Sequence, residues 1–303
     1  MSDTENSDVS RSGFVALVGW TNVGKSTLLN RLVGVKLAAV GDVAQTTRQS
    51  IHGARTVPGR GQIVFVDTPG LHKPRHRMNR AMVHAAGRAM GEVDLAALVI
   101  DAARGFGPGD QQAAAQVKKK CERRIVVLNK VDLVRPKSRL LPLMESLAEQ
   151  WDFAAIVPVS AKTGEGCDGL IEAILAELPP GPSLFPDDYL TDQPERVLAA
   201  EWIREKLLAS TRDELPHATA VIVERWDERE DGLLEIDASV LVERDSQKKI
   251  VIGKEGQLMK HVGTEARGEL ERFLDRRVML RLWVRVREHW RDDERVLQRL
   301  GLS

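Results

Sequence analysis

Gly19–Ser26 reads Gly-Trp-Thr-Asn-Val-Gly-Lys-Ser, a complete G-x-x-x-x-G-K-[ST] phosphate loop. The run Phe14-Val15-Ala16-Leu17-Val18 before it has the length and apolar content of a buried strand. Thr27-Leu28-Leu29-Asn30-Arg31-Leu32 after it opens a helix. Strand, loop and helix in that order commit the chain to an α/β sheet with its ligand at the C-terminal ends of the strands. The chemistry follows from the same residues. Successive backbone N–H groups of Gly19, Asn22, Val23 and Gly24, and the helix opening at Thr27, wrap phosphates, while Lys25 reaches the outer phosphates and the Ser26 hydroxyl ligates Mg²⁺.

Three further segments follow at sensible separations. The strand Ile63-Val64-Phe65-Val66 ends in Asp67-Thr68-Pro69-Gly70. There the Asp67 carboxylate can hold Mg²⁺, directly or through water, and the Gly70 amide can lie against a γ-phosphate with no side chain in the way. Leu95–Asp101 is a third core strand, and Arg124–Leu128 runs into Asn129-Lys130-Val131-Asp132. The Asp132 carboxylate only accepts, so it matches the two adjacent N–H donors on the guanine edge, and adenine would leave that charge poorly paired. Asn129 can bond the base and tie neighbouring loops, and the Lys130 stem can lie along the purine. Ile156–Val159 leads to Ser160-Ala161-Lys162, whose backbone can meet the guanine oxygen. Helical stretches at Asp110–Lys120 and Ser138–Gln150 alternate with the strands, which predicts a doubly wound α/β sheet.

The ordered set G-x-x-x-x-G-K-S, D-x-x-G, N-K-x-D and S-A-K resembles the translation-factor-like class of small GTPases, over about Arg11 to Leu178. Gln45-Thr46-Thr47-Arg48 lies where that class keeps its first switch, which implies Thr47 as a further hydroxyl ligand of Mg²⁺ beside Ser26 and Asp67; ordinary loop polarity is the bland alternative. The residue after D-x-x-G is Leu71, which cannot orient a water as the Gln of Ras-like enzymes does. The resemblance then implies another device, a K⁺ ion held by Asn22 and first-switch backbone, although Asn22 can equally stabilise the turn. Intrinsic hydrolysis is expected to be slow, with Lys25, Asn22, Thr47 and Gly70 as the groups acting on the reacting phosphate. Trp20 and Thr21 stand where members of the class commonly carry Arg and Pro.

Pro179-Pro180-Gly181-Pro182 breaks the last helix of this region, and 181–194 has the Pro and Asp content of a linker. Beyond it, Glu195–Ala209 is helical, and Ala218–Trp226 and Leu233–Glu243 read as strands. Then Ile250-Val251-Ile252-Gly253-Lys254-Glu255-Gly256 precedes a helix with apolar residues at Leu258, Val262, Ala266, Leu270 and Phe273. A last strand, Val278–Arg287, alternates apolar residues with Arg281, Arg285 and Arg287. A G-x-x-G turn between apolar elements marks a KH module, in which four nucleotides are clamped against the turn. The candidate RNA-binding residues are Ile252, Gly253, Lys254, Glu255, Gly256, Lys260, Arg281 and Arg285. Local charge agrees. From Arg244 to Arg291 there are 13 Lys/Arg against 7 Asp/Glu, and from Asp187 to Glu243 there are 6 against 16. The overall balance of 44 against 44 is therefore expected to conceal a basic face.

A GTPase domain followed by helix, two strands, G-x-x-G helix pair and final strand resembles the Era family of bacterial ribosome-assembly GTPases with a type II KH domain, and Leu282–Asp293 strengthens the likeness. The fold expected is α/β, a P-loop GTPase sheet over 11–180 and a smaller α+β KH domain with a C-terminal helix over 195–303. The resemblance implies GTP/GDP and Mg²⁺ as ligands, binding near the 3′ end of small-subunit ribosomal RNA, and a role in 30S subunit maturation. Rival readings are a tRNA-modification-type GTPase, disfavoured by the KH end, and an RNA chaperone with nucleotide as a structural ligand. Met1–Ser10 is polar and acidic, lacks the regions of a signal peptide and reads as a disordered tail. Cys121 and Cys167, far apart, read as idle thiols in a reducing compartment. A cytoplasmic monomer is expected, with peripheral association at the membrane left open.

Overall fold

In the computed structural model, which describes residues 9–41, 47–48, 50–70, 77–211 and 215–302, the apolar runs of the first half form a six-stranded sheet in the order β2-β3-β1-β4-β5-β6. The strands are β1 (Arg11–Val18), β2 (Ile51–Val57), β3 (Gly61–Asp67), β4 (Leu95–Asp101), β5 (Arg124–Asn129) and β6 (Ala155–Pro158). All pairs are parallel except the edge pair β2–β3. Val15–Val18, Leu95–Ile100 and Ile125–Leu128 are aliphatic without alternation because both of their faces are covered, and all are fully buried. The helices are α1 (Lys25–Val33), α2 (Arg77–Ala89), α3 (Pro108–Lys120), α4 (Leu140–Gln150) and α5 (Cys167–Glu177). Helix α3 starts two residues earlier than expected because Pro108 fits the first turn and Asp110 Oδ2 accepts the Gly107 N–H at 3.0 Å.

The second half holds α6 (Glu195–Ala209), the short α7 (Leu215–Ala218), β7 (Ala220–Glu228), β8 (Leu234–Val242), α8 (Asp245–Ile252), α9 (Gln257–Leu274), β9 (Val278–Val286) and α10 (Glu294–Arg299). Its sheet runs β7-β8-β9, antiparallel then parallel. Helices α6 and α9 pack on one face. Val262, Ala266 and Leu270 are buried, and Phe273 meets the Trp202 ring edge-on at 4.9 Å. The i, i+4 spacing of the apolar residues on α9 builds this seam.

By its contacts the chain divides into one unit of residues 1–37, 50–72 and 83–192 and a second of 38–49, 73–82 and 193–303. Two expected boundaries change. Residues 38–41 and 47–48 and the start of α2 go with the second unit, where Ala38, Ala39, Thr47 and Arg48 are buried. Met78 and Met82 pack with Ile222, Leu241, Trp290 and Leu297, the Val40 N–H donates to Glu205 Oε2 at 2.8 Å, and the Arg48 guanidinium stacks on the Trp290 ring at 5.5 Å. The expected linker belongs to the first unit as far as Asp192. Ala54 N–H of edge strand β2 donates to Leu190 O, and Gln62 exchanges hydrogen bonds with the backbone of Leu184 and Phe185, so this stretch caps a sheet edge that would otherwise expose unpaired backbone. Ser10, expected in the tail, accepts the Gly181 N–H at 2.9 Å; residues 1–8 lie outside the described residues.

Candidate functional site

The loops that leave β1, β3, β4, β5 and β6 at their C-terminal ends bring the first four motifs together. Gly24 opens α1 in the left-handed region, φ 96°, a conformation that favours glycine. Lys25 is buried at 6% exposure, with Nζ donating to Gly19 O at 3.2 Å and Trp20 O at 2.9 Å. Burial pushes its pKa down to about 8, opposed by the nearby Asp67 carboxylate. Ser26 Oγ donates to the fully buried Asp67 Oδ2 at 2.7 Å. A hydroxyl and a carboxylate so placed are hard oxygen donors of the kind Mg²⁺ takes, so the pair fits that ion. Gly70 closes the group. A Cβ there would come within 3.1 Å of Thr21 backbone and 3.4 Å of Lys25 Nζ, so the D-x-x-G turn sits directly on the phosphate loop and a side chain there would require its neighbours to shift. Trp20 packs on the hydrophobic core beside α3, where a Cβ on Gly109 would meet its ring at 2.6 Å. The indole thus anchors the loop from outside.

Asn129, buried to 1% exposure, ties two loops at once. Its Nδ2 donates to Val23 O at 2.9 Å and its Oδ1 accepts the Ala161 N–H at 3.0 Å. The Ala161 amide, read from the sequence as a contact for guanine, is thus engaged within the protein. Lys130 Nζ donates to Asn22 O at 2.6 Å and to Asp101 Oδ2 at 2.8 Å. Asp132 is half-buried and its Oδ1 accepts from Ser160 Oγ at 2.7 Å, which aims the carboxylate. Thr27, Ala161 and Lys162 line a cavity of about 360 Å³ with Asn30, Arg31 and Lys36. Two residues that sequence reasoning missed support this arrangement. Arg31 donates to Ala161 O and Lys162 O, and Asp101 holds Lys130. Asp101 ends a core strand directly opposite Asn129, which is a readable signal; Arg31 has none.

Thr47, buried, is grouped by its contacts with the second unit rather than with the phosphate loop. Gln45, Thr46 and Leu71 lie outside the described residues.

In the second unit, the G-x-x-G turn joins α8 to α9, so Ile250-Val251-Ile252 is the end of a helix. Gly253 has φ 75°, and a Cβ on it would lie 2.8 Å from Leu258 Cβ and 3.1 Å from its backbone nitrogen. Glu255 and Gly256 follow with positive φ. Ile252 is half-buried, whereas Lys254 and Lys260 are exposed, as is Ile250 at 55%. An exposed isoleucine beside the turn is an apolar element the sequence pattern did not single out. Arg281 and Arg285 are not with this group. Leu282 faces α9, so its neighbours in β9 point to the opposite face of the sheet. There Arg281 pairs with Glu235 at 3.1 Å and Asp237 at 2.9 Å, and Arg285 lies 4.0 Å from Glu224.

This corrects the expected basic face. The acidic β8 lies in register with the basic β9 and pairs along its other edge with β7, and Arg276, Arg287 and Arg291 are likewise paired, with Glu228, Asp293 and Glu243. Among the described residues, Lys248, Lys249, Lys254, Lys260, Arg267 and Arg272 on α8, the turn and α9 carry no ion pair, nor do Arg244, Arg277 and Arg295 elsewhere in the second unit. Lys248, Lys249, Lys254 and Lys260 thus put uncompensated positive charge on both sides of the G-x-x-G turn.

Comparison with known proteins agrees along the whole chain. A family model described as 50S ribosome-binding GTPase matches residues 14–130, and one described as KH domain matches 214–291. GTPase Era of Geobacter metallireducens is 49% identical over 294 residues, 97% of this chain and 98% of that protein. GTPase Era of Lacticaseibacillus paracasei is 47% identical over 295 residues, 96% of this chain and 97% of that protein. The crystal structure of Era in complex with MgGDPNP and nucleotides 1506–1542 of 16S ribosomal RNA is similar with a TM-score of 0.94 and 39% identity, covering 97% of this chain and 99% of that one. An Aquifex aeolicus Era variant bound to GDP·AlF4⁻ gives 0.93 at 39% identity, over the same shares of the two chains. The phosphate loop, guanine motif and G-x-x-G turn are thus parts of one shared architecture, and the chain belongs to the Era family of GTPases.

Proposed function

We propose that this GTPase binds single-stranded RNA from the 3′ end of 16S ribosomal RNA at its G-x-x-G turn, under control of the bound nucleotide, during maturation of the 30S subunit. The observation that carries the reading is the unpaired positive charge on α8, the turn and α9, in a chain whose Era relative was crystallised with MgGDPNP and that RNA. Gly253 lets an RNA backbone approach, Lys254 and Lys260 meet its phosphates, and Ile250 and Ile252 offer apolar contact to bases. Glu255 places an acid inside the turn and weakens phosphate contact there.

At the nucleotide site, Lys25 and the Gly70 amide donate to the terminal phosphate, and Asp132 selects guanine. Ser26, Asp67 and Thr47 are the proposed ligands of Mg²⁺. The metal, when bound, neutralises charge developing on the transferred phosphate. Asn22, which supports the turn at φ 61°, is the proposed ligand for K⁺ in place of a water-orienting glutamine. Among the described residues no helix is long and apolar enough to cross a membrane, so membrane association, where it occurs, is peripheral. The protein is proposed to act as a cytoplasmic monomer.

Single-turnover GTP hydrolysis in matched K⁺ and Na⁺ buffers, with and without the 3′-terminal RNA, tests this reading. Hydrolysis is expected to be slow, faster in K⁺ and sensitive to RNA. Equal rates in the two salts overturn the role of Asn22, and no hydrolysis in any condition would leave nucleotide as a structural ligand.

A further inference from the structure

We infer that Asp101 is a positioning residue of the nucleotide site: it holds Lys130 against the phosphate loop and so governs how long guanine nucleotide stays bound. The inference rests on the reading of the nucleotide site given above. Asp101 ends β4, and its side chain is only 10% exposed. One carboxylate oxygen, Oδ1, accepts the Ala103 N–H at 3.1 Å, and the Asp101 carbonyl accepts the N–H groups of Arg104 and Gly105 at 3.1 Å each. The residue is therefore fixed by its own turn. The other oxygen, Oδ2, meets Lys130 Nζ at 2.8 Å.

Lys130 sits at φ 64°, and its Nζ also donates to Asn22 O at 2.6 Å. Next to this bond, Asn129 donates to Val23 O at 2.9 Å. Two successive carbonyls of the phosphate loop are thus held by two successive residues of N-K-x-D. The two ties differ in kind. The Asn129 bond joins neutral groups in a buried position, where it persists without help. The Lys130 bond involves an ammonium at 30% side-chain exposure, which is free to turn into water unless a counter-charge holds it. Asp101 supplies that charge. With Nζ fixed at both contacts, the aliphatic stem of Lys130 has one path, the one along which the purine is proposed to lie. Ordering a stem before the ligand arrives lowers the cost of binding, and such changes appear mainly in the dissociation rate.

The test uses stopped-flow displacement of a fluorescent GDP from the full chain, in wild type, D101N, K130M, the double variant and D132N. D101N keeps an Oδ1 acceptor for Ala103 and replaces the charged acceptor facing Lys130 with an uncharged amide donor. D101N and K130M are each expected to speed GDP release by about ten-fold, as for loss of one charge-assisted contact. The double variant is expected to be no faster than K130M alone, because both act through one interaction. Hydrolysis of prebound GTP by D101N in a single turnover is expected to stay close to wild type. Unchanged release in D101N, or a double variant whose effect is the product of the singles, overturns the inference. Should D101N fail to fold, unchanged release in K130M overturns it equally. If D132N leaves guanine binding intact, the reading of the site itself fails; if D132N weakens binding while D101N does not, only the role of Asp101 falls.

Discussion

At the nucleotide site, Lys25 and Asn129 are held by backbone carbonyls of the phosphate loop, whereas on the outer face of the β7-β8-β9 sheet Arg225 and Arg281 are held by carboxylates. The difference decides what each region can still do. Carbonyls hold a side chain in place without cancelling its charge, so Lys25 remains an attractive partner for phosphate. Carboxylates cancel the charge, so an arginine-rich strand set against acidic strands has little left for a polyanion. A run of arginines is a binding surface only where the fold leaves it unpaired, and here the unpaired cations beside the G-x-x-G turn are the lysines of α8, the turn and α9.

Breaking the first region has the largest expected effect. Lys25→Ala removes the charge that faces the outer phosphates, and GTP affinity is expected to fall by about a thousand-fold, roughly 4 kcal/mol. Titration with labelled GTP checks this, and Ser26→Ala is expected to lose Mg²⁺-dependent binding in the same assay. The same lysine predicts a pH dependence. With a pKa of about 8 in the folded protein, it loses its charge as pH rises from 7 to 9, so GTP affinity measured across that range is expected to fall. Its effect on stability runs the other way. The unfolded chain binds more protons between pH 8 and the ordinary lysine value of 10.5, so burial of the charge costs stability below pH 8 and the cost is relieved as pH rises through that window.

Next in size is Asp132→Asn. The substitution keeps one acceptor for Ser160 and replaces the other oxygen with a donor facing the N–H groups of guanine. A loss of about 3 kcal/mol, on the order of a hundred-fold, is expected for GTP, with a gain for xanthine nucleotide measured in competition.

The sheet comparison is sharpened by pairing two RNA-domain variants. Gly253→Asp puts a Cβ into Leu258 and a negative charge where RNA approaches, and is expected to abolish RNA affinity while leaving GTP binding without RNA intact. Arg281→Ala is expected to change RNA affinity little. Its cost falls instead on the sheet, in denaturant unfolding, and exceeds the about 1 kcal/mol of a fully exposed pair because Glu235 and Asp237 are only 13% and 16% exposed. An Arg281→Ala variant that bound RNA as poorly as Gly253→Asp would mean that the outer face is the RNA surface after all.

The legibility of these regions follows the same division. The phosphate loop, N-K-x-D and G-x-x-G act through backbone conformation set within a few residues, so Gly24, Asn129 and Gly253 are readable from spacing alone. The pairing of Arg281 with Glu235 and Asp237 depends on the register of strands distant in sequence, Asp237 opposite Arg281 and Glu235 opposite Met279, and no local pattern carries it. Likewise Met78 and Met82 read as ordinary apolar positions of a helix, and only the tertiary structure shows that they are buried with Trp290. Gln62, which holds the backbone of Leu184 and Phe185, is why a Pro- and Asp-rich stretch with linker composition is tied to a sheet edge.

The central claim, that nucleotide state governs RNA binding, is tested most directly by titrating the full chain with single-stranded RNA from the 3′ end of 16S ribosomal RNA, once with a non-hydrolysable GTP analogue and Mg²⁺ and once with GDP. The account predicts tighter binding in the triphosphate form by about 1–3 kcal/mol, and RNA must then tighten binding of the analogue relative to GDP by the same factor. Equal RNA affinity in the two nucleotide states would contradict it.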